Sequence, residues 1–153
     1  MPTKVLMVCL GNICRSPLAE GILQSKLPRN EFIVDSAGTA NFHIGSPPDM
    51  RSILTAEKFG INIRQQKCRQ LSKSDFESFD YIYVMDNSNY ENVIAIAPNQ
   101  ASKNKVKVIL NELGLSSNLE VPDPYYGGID EFENVFHLLD EVCTKIANKI
   151  HSK

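Results

Sequence analysis

Cys9 and Arg15 stand with five residues between them, and Ser16 follows directly. Successive backbone N–H groups on a loop of that length can turn inward as an anion-binding nest, and the start of a following helix adds partial positive charge. A phosphate group fits such a cradle. The planar guanidinium of Arg15 would close it, because it presents paired donors to two oxygens and stays charged at physiological pH. The same field favours the thiolate of Cys9, which is the nucleophilic form. Ser16 is placed to donate its hydroxyl to that sulfur, and Gly11 and Asn12 are residue types that tolerate the left-handed backbone of a tight loop.

Each residue alone has an ordinary explanation. A cysteine after an apolar strand is usually a small buried hydrophobe, and a glycine in a strand-to-helix turn usually only makes the turn. The joint pattern on one loop outweighs those explanations. An ATP-type phosphate loop is disfavoured, since no Gly-Lys-Ser/Thr follows Gly11.

The elements that must hold this loop are legible around it. Lys4 to Val8 is a short apolar run suited to a parallel strand covered on both faces, and it delivers the chain to Cys9. Ser16-Pro17 reads as a helix cap with proline at the first helical position, opening a helix to about Leu27 whose inner face is Leu18, Ile22, Leu23 and Leu27. Phe32 to Asp35, Tyr81 to Met85 and Val106 to Leu110 are the remaining strand candidates. Ser46-Pro47-Pro48-Asp49 starts a second helix with Met50, Ile53 and Leu54 as its apolar face, stopped by Gly60. Asp86-Asn87-Ser88 caps a short helix that ends before Pro98. The last helix has Phe132, Val135, Phe136, Leu139, Val142, Cys143, Ile146 and Ile150 at helical spacing, with Asp130 and Glu133 as a capping box.

Strands alternating with helices predict an α/β fold: a four-stranded parallel sheet with helices on both faces and the phosphate loop between the first strand and the first helix. In such sheets ligands bind beyond the carboxyl ends of the strands, where Cys9 to Ser16 falls. One domain spanning 1–153 is expected from the length.

Composition narrows the function classes. With 42% hydrophobic and 22% charged residues, and no apolar stretch of membrane-spanning length, the chain reads as a cytoplasmic globular protein without a secretory leader. Sixteen basic against eighteen acidic residues give a net charge of −2, so no global field draws the chain to nucleic acid. The four cysteines at 9, 14, 68 and 143 match neither a dense disulfide framework nor a paired zinc site, so reduced thiols, no metal and no cofactor are expected.

The string Val8-Cys9-Leu10-Gly11-Asn12-Ile13-Cys14-Arg15-Ser16-Pro17 resembles the active-site signature of low-molecular-weight protein tyrosine phosphatases, as does Asp123-Pro124-Tyr125-Tyr126. Asp35-Ser36-Ala37-Gly38-Thr39, Gly45-Ser46-Pro47-Pro48-Asp49, Phe79-Asp80-Tyr81-Ile82 and Met85-Asp86 are also similar to family segments, so the likeness spans nearly the whole chain.

The resemblance implies hydrolysis of phosphotyrosine and aryl phosphates through a cysteinyl-phosphate. It makes Cys9 the nucleophile and lets the amides of Leu10, Gly11, Asn12, Ile13, Cys14 and Arg15, with the Arg15 side chain, hold the phosphate. Asp123 becomes the general acid and then the base; read without the family, Asp123-Pro124 is only a turn. Asn12, Ser16 and Ser36 become supporting residues, and Phe42, Tyr125 and Tyr126 become the cleft rim that packs on a phenyl ring. A Cys9–Cys14 redox pair is implied in the same way, with phosphotyrosine proteins or peptides as partners and a monomeric enzyme. One departure is that Gln66 stands where relatives often carry a histidine in the support network, with a length difference around Gln65 to Cys68.

Rival readings on the same loop are a thioredoxin-coupled arsenate reductase, a sugar-transport phosphocarrier and a catalytically dead phosphotyrosine-binding module. The first needs relay cysteines, whereas Cys143 lies on an apolar stripe and Cys68 has no evident partner in the sequence. The second needs no general acid, and the third is weakened because Cys9, Arg15 and Asp123 are all present.

Overall fold

The computed structural model describes residues 1–115 and 119–152. Four strands, β1 (Thr3–Cys9), β2 (Phe32–Gly38), β3 (Tyr81–Val84) and β4 (Val106–Val108), form one parallel sheet in the order β2-β1-β3-β4. The helices are α1 (Arg15–Ser25), α2 (Met50–Lys58), α3 (Asp75–Ser78), α4 (Asn87–Ile96), α5 (Gln100–Asn104) and α6 (Ile129–His151).

The two-residue period of β1 divides the core. Val5, Met7 and Cys9 face one layer with Leu18, Ile22, Ile53, Leu139, Cys143 and Ile146, contributed by α1, α2 and α6. Leu6 and Val8 face the other with Phe76, Phe79, Ile82, Val84, Val93 and Val106, where α3 and α4 pack. β1 is thus central and covered on both sides, as its unbroken apolar run requires. Its carboxyl end pairs Cys9 with Gly38, so the loop from Cys9 to Arg15 leaves the sheet beside the end of β2.

Several local expectations are corrected. Helix α1 begins at Arg15, with Cys14 before it and no side-chain cap, because the Ser16 hydroxyl is drawn to Cys9 instead. It ends at Ser25 rather than Leu27. The cap of α2 is Asp49, which accepts the Arg51 amide, and Gly60 takes φ +83° just past the end. Of the expected apolar face only Ile53 is buried; Met50 is 55% and Leu54 49% exposed, and Ser52, Thr55 and Ala56 complete the inner face.

β2 runs on to Gly38, and β4 stops at Val108. A 3-10 helix over Ile109–Leu113 then buries Ile109, Leu110 and Leu113, so their apolar character serves a helical turn and not a longer strand. Asp130 and Glu133 make no capping box: α6 starts at Ile129 from the backbone of Gly128, without a side-chain cap. The expected apolar stripe of α6 is buried throughout. None of the helices among the described residues is long and apolar enough to cross a membrane.

Candidate active site

The carboxyl end of β1 opens into a cavity of about 380 Å³ lined by Cys9, Leu10, Gly11, Ile13, Cys14, Arg15, Phe42, His43, Asp123, Tyr125 and Tyr126. Residues 114 positions apart in the chain therefore share one wall. Cys9 and Arg15 are each only 3% exposed, so both present their functional atoms to this cavity and little else.

The loop is bent by Asn12, whose φ of 58° makes it the one described residue other than glycine in the left-handed region. Gly11, the other candidate for that conformation, does not take it. The bend turns the Asn12 N–H toward Cys9, where it donates to Sγ at 3.3 Å.

The polarity of the surrounding network follows from donors that cannot act otherwise. The Arg69 backbone N–H donates to Asn12 Oδ1 at 3.0 Å, which commits Asn12 Nδ2 to donate to Ser16 Oγ at 2.8 Å and to Ser36 Oγ at 3.0 Å. Ser16 accepts there, so its own proton is free for Cys9 Sγ, 3.0 Å away. Ser36 in turn donates to Glu20 Oε1 at 2.6 Å. The Asn12 carbonyl accepts from Cys68 Sγ at 2.7 Å. The sulfur of Cys9 thus faces two donors, the Asn12 N–H and the Ser16 hydroxyl.

Arg15 is aimed by groups at its far side. Nη1 donates to Asp86 Oδ2 at 2.7 Å and to the Val121 carbonyl at 2.9 Å, while Nη2 lies 3.8 Å from Asp123 Oδ2. Asp86 also caps α4 by accepting the Asn89 amide, so one carboxylate fixes both the helix and the guanidinium. Asp123 is 46% exposed at the cavity mouth, and its Oδ1 accepts the Tyr125 N–H at 3.1 Å. Tyr125 and Tyr126 meet edge to face with centroids 4.9 Å apart, and Tyr126 and Phe42 are 94% and 72% exposed.

A model of the low molecular weight phosphotyrosine protein phosphatase family matches residues 4–153. The chain belongs to that family. It is 39% identical over 154 residues to the human low molecular weight phosphotyrosine protein phosphatase, covering 97% of this chain and 96% of that one. The namesake of Schizosaccharomyces pombe is 40% identical over 138 residues, 87% of each chain. A crystal structure of a protein tyrosine phosphatase from Entamoeba histolytica with Hepes in its active site superposes with a TM-score of 0.91 at 36% identity, covering 98% of this chain and 97% of that one.

Within this phosphatase the expected residues gather at one place: the loop from Cys9 to Arg15, then Asp123, Phe42, Tyr125 and Tyr126 around one cavity, with Ser16 and Ser36 behind it. Gln66 does not join that support. Its Nε2 donates to the Pro17 carbonyl at 3.0 Å, and its buried Oε1 has no partner among the described residues. The network closes instead on Glu20 and on the Arg69 amide. Arg69 is itself pinned, since its guanidinium holds Asp35 and Asp75 together.

Burial governs three titrating groups around the loop, Glu20, Cys14 and Cys68. It raises the Glu20 carboxyl to about 7, against a smaller opposing effect of the Ser36 hydrogen bond. It pushes the Cys14 thiol up to about 12, with the nearby charges of Asp49, Cys9 and Asp123 adding to the rise. Cys68 is pushed up to about 11 by the same desolvation. Cys143 is completely buried in the core.

No local pattern marks Glu20, Arg69 or His43 for the site, and Asp86 reads as a helix cap and as part of the family-like Met85-Asp86. A usable signal existed for Asp86 alone, because it follows β3 at the sheet's carboxyl edge, where ligands bind.

Proposed function

We propose that the cavity at the end of β1 is a single catalytic unit that hydrolyses phosphotyrosine through a cysteinyl-phosphate. The observation that carries this is the convergence of Cys9, Arg15 and Asp123 on one small cavity whose mouth is aromatic.

In this reading the phosphoryl group sits in the loop, with its oxygens on the amides from Leu10 to Arg15 and on the free edge of the Arg15 guanidinium. The Cys9 thiolate attacks phosphorus, the phosphorus–oxygen bond to the aryl group breaks, and Asp123 gives its proton to the departing phenolate oxygen. Water then attacks the cysteinyl-phosphate while Asp123 takes a proton from it. The sulfur–phosphorus bond breaks, inorganic phosphate leaves and the thiolate is restored. Ser16 and Asn12 stabilise that thiolate each time it forms.

The rim favours a phenyl ring. Phe42, Tyr125 and Tyr126 offer faces and edges to an aryl group, and a short phosphoserine side chain would not reach them from the loop. Phosphotyrosine proteins or peptides acted on by a monomeric enzyme in the reducing cytoplasm complete the reading. The burial of Cys143 supports it over an arsenate reductase, since a thiol sealed in the core is poorly placed for relay.

The test is hydrolysis of a phosphotyrosine peptide in the presence of a strong chelator, by wild type and Cys9→Ser. Wild type is expected to turn over. Cys9→Ser is expected to lose turnover while still binding tungstate, because a serine hydroxyl does not ionise in this loop. Substantial residual hydrolysis by the variant removes Cys9 from its role, and loss of wild-type activity that a divalent ion restores replaces the mechanism with a metal-assisted one.

A further inference from the structure

Arg51, the second residue of α2, does not line the catalytic cavity, yet its side chain touches three parts of the frame around it. Nε and Nη2 donate to the two carboxylate oxygens of Asp49 at 3.0 and 2.9 Å. Asp49 is fixed in turn to the phosphate loop, its backbone N–H donating to the Ile13 carbonyl at 2.8 Å. On its other side, Arg51 Nη1 donates to the Gly127 carbonyl at 3.2 Å. The guanidinium carbon lies 5.4 Å from the Tyr125 ring centroid and 4.6 Å from that of Phe132. A guanidinium both forked to a carboxylate and set over two rings is restrained on several sides.

The segment that Arg51 holds is the one that carries Asp123. Residues 123–127 are braced internally, since Asp123 Oδ1 accepts the Tyr125 amide and the Pro124 carbonyl accepts the Gly127 amide at 2.9 Å. Gly127 is pressed on the first turn of α6, where an added Cβ would lie 2.4 Å from Glu131 Cγ. Such a loop moves as a unit, so its outside ties decide where Asp123 sits. Arg15 supplies one tie from beneath, through Val121 and the approach to Asp123. Arg51 supplies one from the side of the phosphate loop.

We propose that Arg51 is a positioning residue for proton delivery: through Asp49 it transmits the register of the phosphate loop to the loop that holds Asp123. This deepens the proposed function and rests on Asp123 being the general acid. Removing the tie lets Asp123 drift relative to the leaving oxygen while the cradle and its phosphate contacts stay in place. A displacement of about 1 Å is enough to cost a large factor in a step that depends on alignment.

The test compares kcat/KM for phenyl phosphate, whose leaving group needs a proton, with 2,4-dinitrophenyl phosphate, whose leaving group does not. Wild type, Arg51→Ala, Arg51→Lys and Asp123→Asn are measured together. Arg51→Ala is expected to lose about tenfold to hundredfold on phenyl phosphate and less than about threefold on the activated ester. Inhibition by inorganic phosphate should hardly change. Arg51→Lys should recover part of the loss, since an ammonium keeps N–H donors and the positive charge but not the planar fork.

If Asp123→Asn discriminates steeply between the two esters but Arg51→Ala loses the same factor on both, Arg51 has no part in proton delivery and the proposal is wrong. If Asp123→Asn itself loses equally on both, the general-acid assignment fails and takes this one with it. Should circular dichroism show that Arg51→Ala is unfolded, Arg51→Lys carries the same comparison: a loss confined to phenyl phosphate supports the proposal, and an equal loss refutes it.

Discussion

Replacing Glu20 by Gln should stabilise the protein at alkaline pH and leave it nearly unchanged at acid pH. In the unfolded chain this carboxyl ionises near the ordinary 4.5, whereas burial in the folded protein holds its proton until about 7. Between those values the folded state binds more protons, so stability falls as pH rises and the whole penalty is present above pH 7. At about 1.4 kcal/mol for each tenfold change in proton affinity, the penalty approaches about 3 kcal/mol. Glutamine removes it, because it stands in for the protonated acid and keeps an oxygen for the Ser36 hydroxyl; the help that bond gives the carboxylate already limits the rise to about 7. The net gain is about 3 kcal/mol at pH 8, or roughly 6 to 12 °C in melting temperature for a chain of this size. Thermal melts of both proteins at pH 4.5 and pH 8 read the difference directly. An equal shift at both pH values, or a Glu20 carboxyl that titrates near 4.5 by carbon-detected NMR in the folded wild type, would refute the reasoning.

Gly38→Ala should cripple turnover and cost about 1 to 3 kcal/mol, because the new Cβ would lie 2.7 Å from the Leu10 carbonyl oxygen and 3.0 Å from the Gly11 carbonyl carbon, and backbone must move to admit it; urea melts with wild-type stability would show that the loop has room to spare. Mild peroxide is expected to oxidise the Cys9 thiolate to a sulfenic acid, which the Cys14 thiol then attacks with loss of water to give a disulfide. Because the Cys14 thiol ionises only at about 12, that closure should quicken with rising pH. Mass spectrometry should find the Cys9–Cys14 linked peptide and reversible inactivation, with irreversible over-oxidation in Cys14→Ser; a link to Cys68, or full recovery of the variant, contradicts the pairing.

What could be read in the sequence was what lies close together in it. Cys9, Arg15 and Ser16 share one short loop, and the four strands announce themselves as apolar runs, so the sheet and the grouping of these three residues at its edge are legible in the sequence. Helix ends were less secure. Ser16 has the chemistry of a cap, but the thiol competes for its hydroxyl and wins, so α1 starts at Arg15 with no side-chain cap. Apolar content over Ile109 and Leu110 suits a strand or a 3-10 turn equally, and the packing of Leu113 into the same core decides for the turn. Helices α3 and α5, of four and five residues, are too short to establish any period. Glu20 and Arg69 owe their roles to partners on other elements, and Arg51 and Asp86, each with one local partner, reach the site only through contacts far along the chain.

Asn12 ties the signature loop to residues far along the chain: its amide reaches Ser36, 24 residues on, and the Arg69 backbone, 57 residues on. A peptide cut from residues 1–30 would contain every letter of the motif and none of these braces. The cradle is therefore a product of completed folding, and affinity for an oxyanion becomes a gauge of how much of the chain is native. A bound phosphate stabilises only the folded state, by an amount that grows with the logarithm of its concentration above Kd. Contacts of such long separation close late, so occupancy should act by slowing unfolding and leave the rate of folding almost untouched. A cell rich in phosphorylated targets would in this way lengthen the life of the enzyme that consumes them.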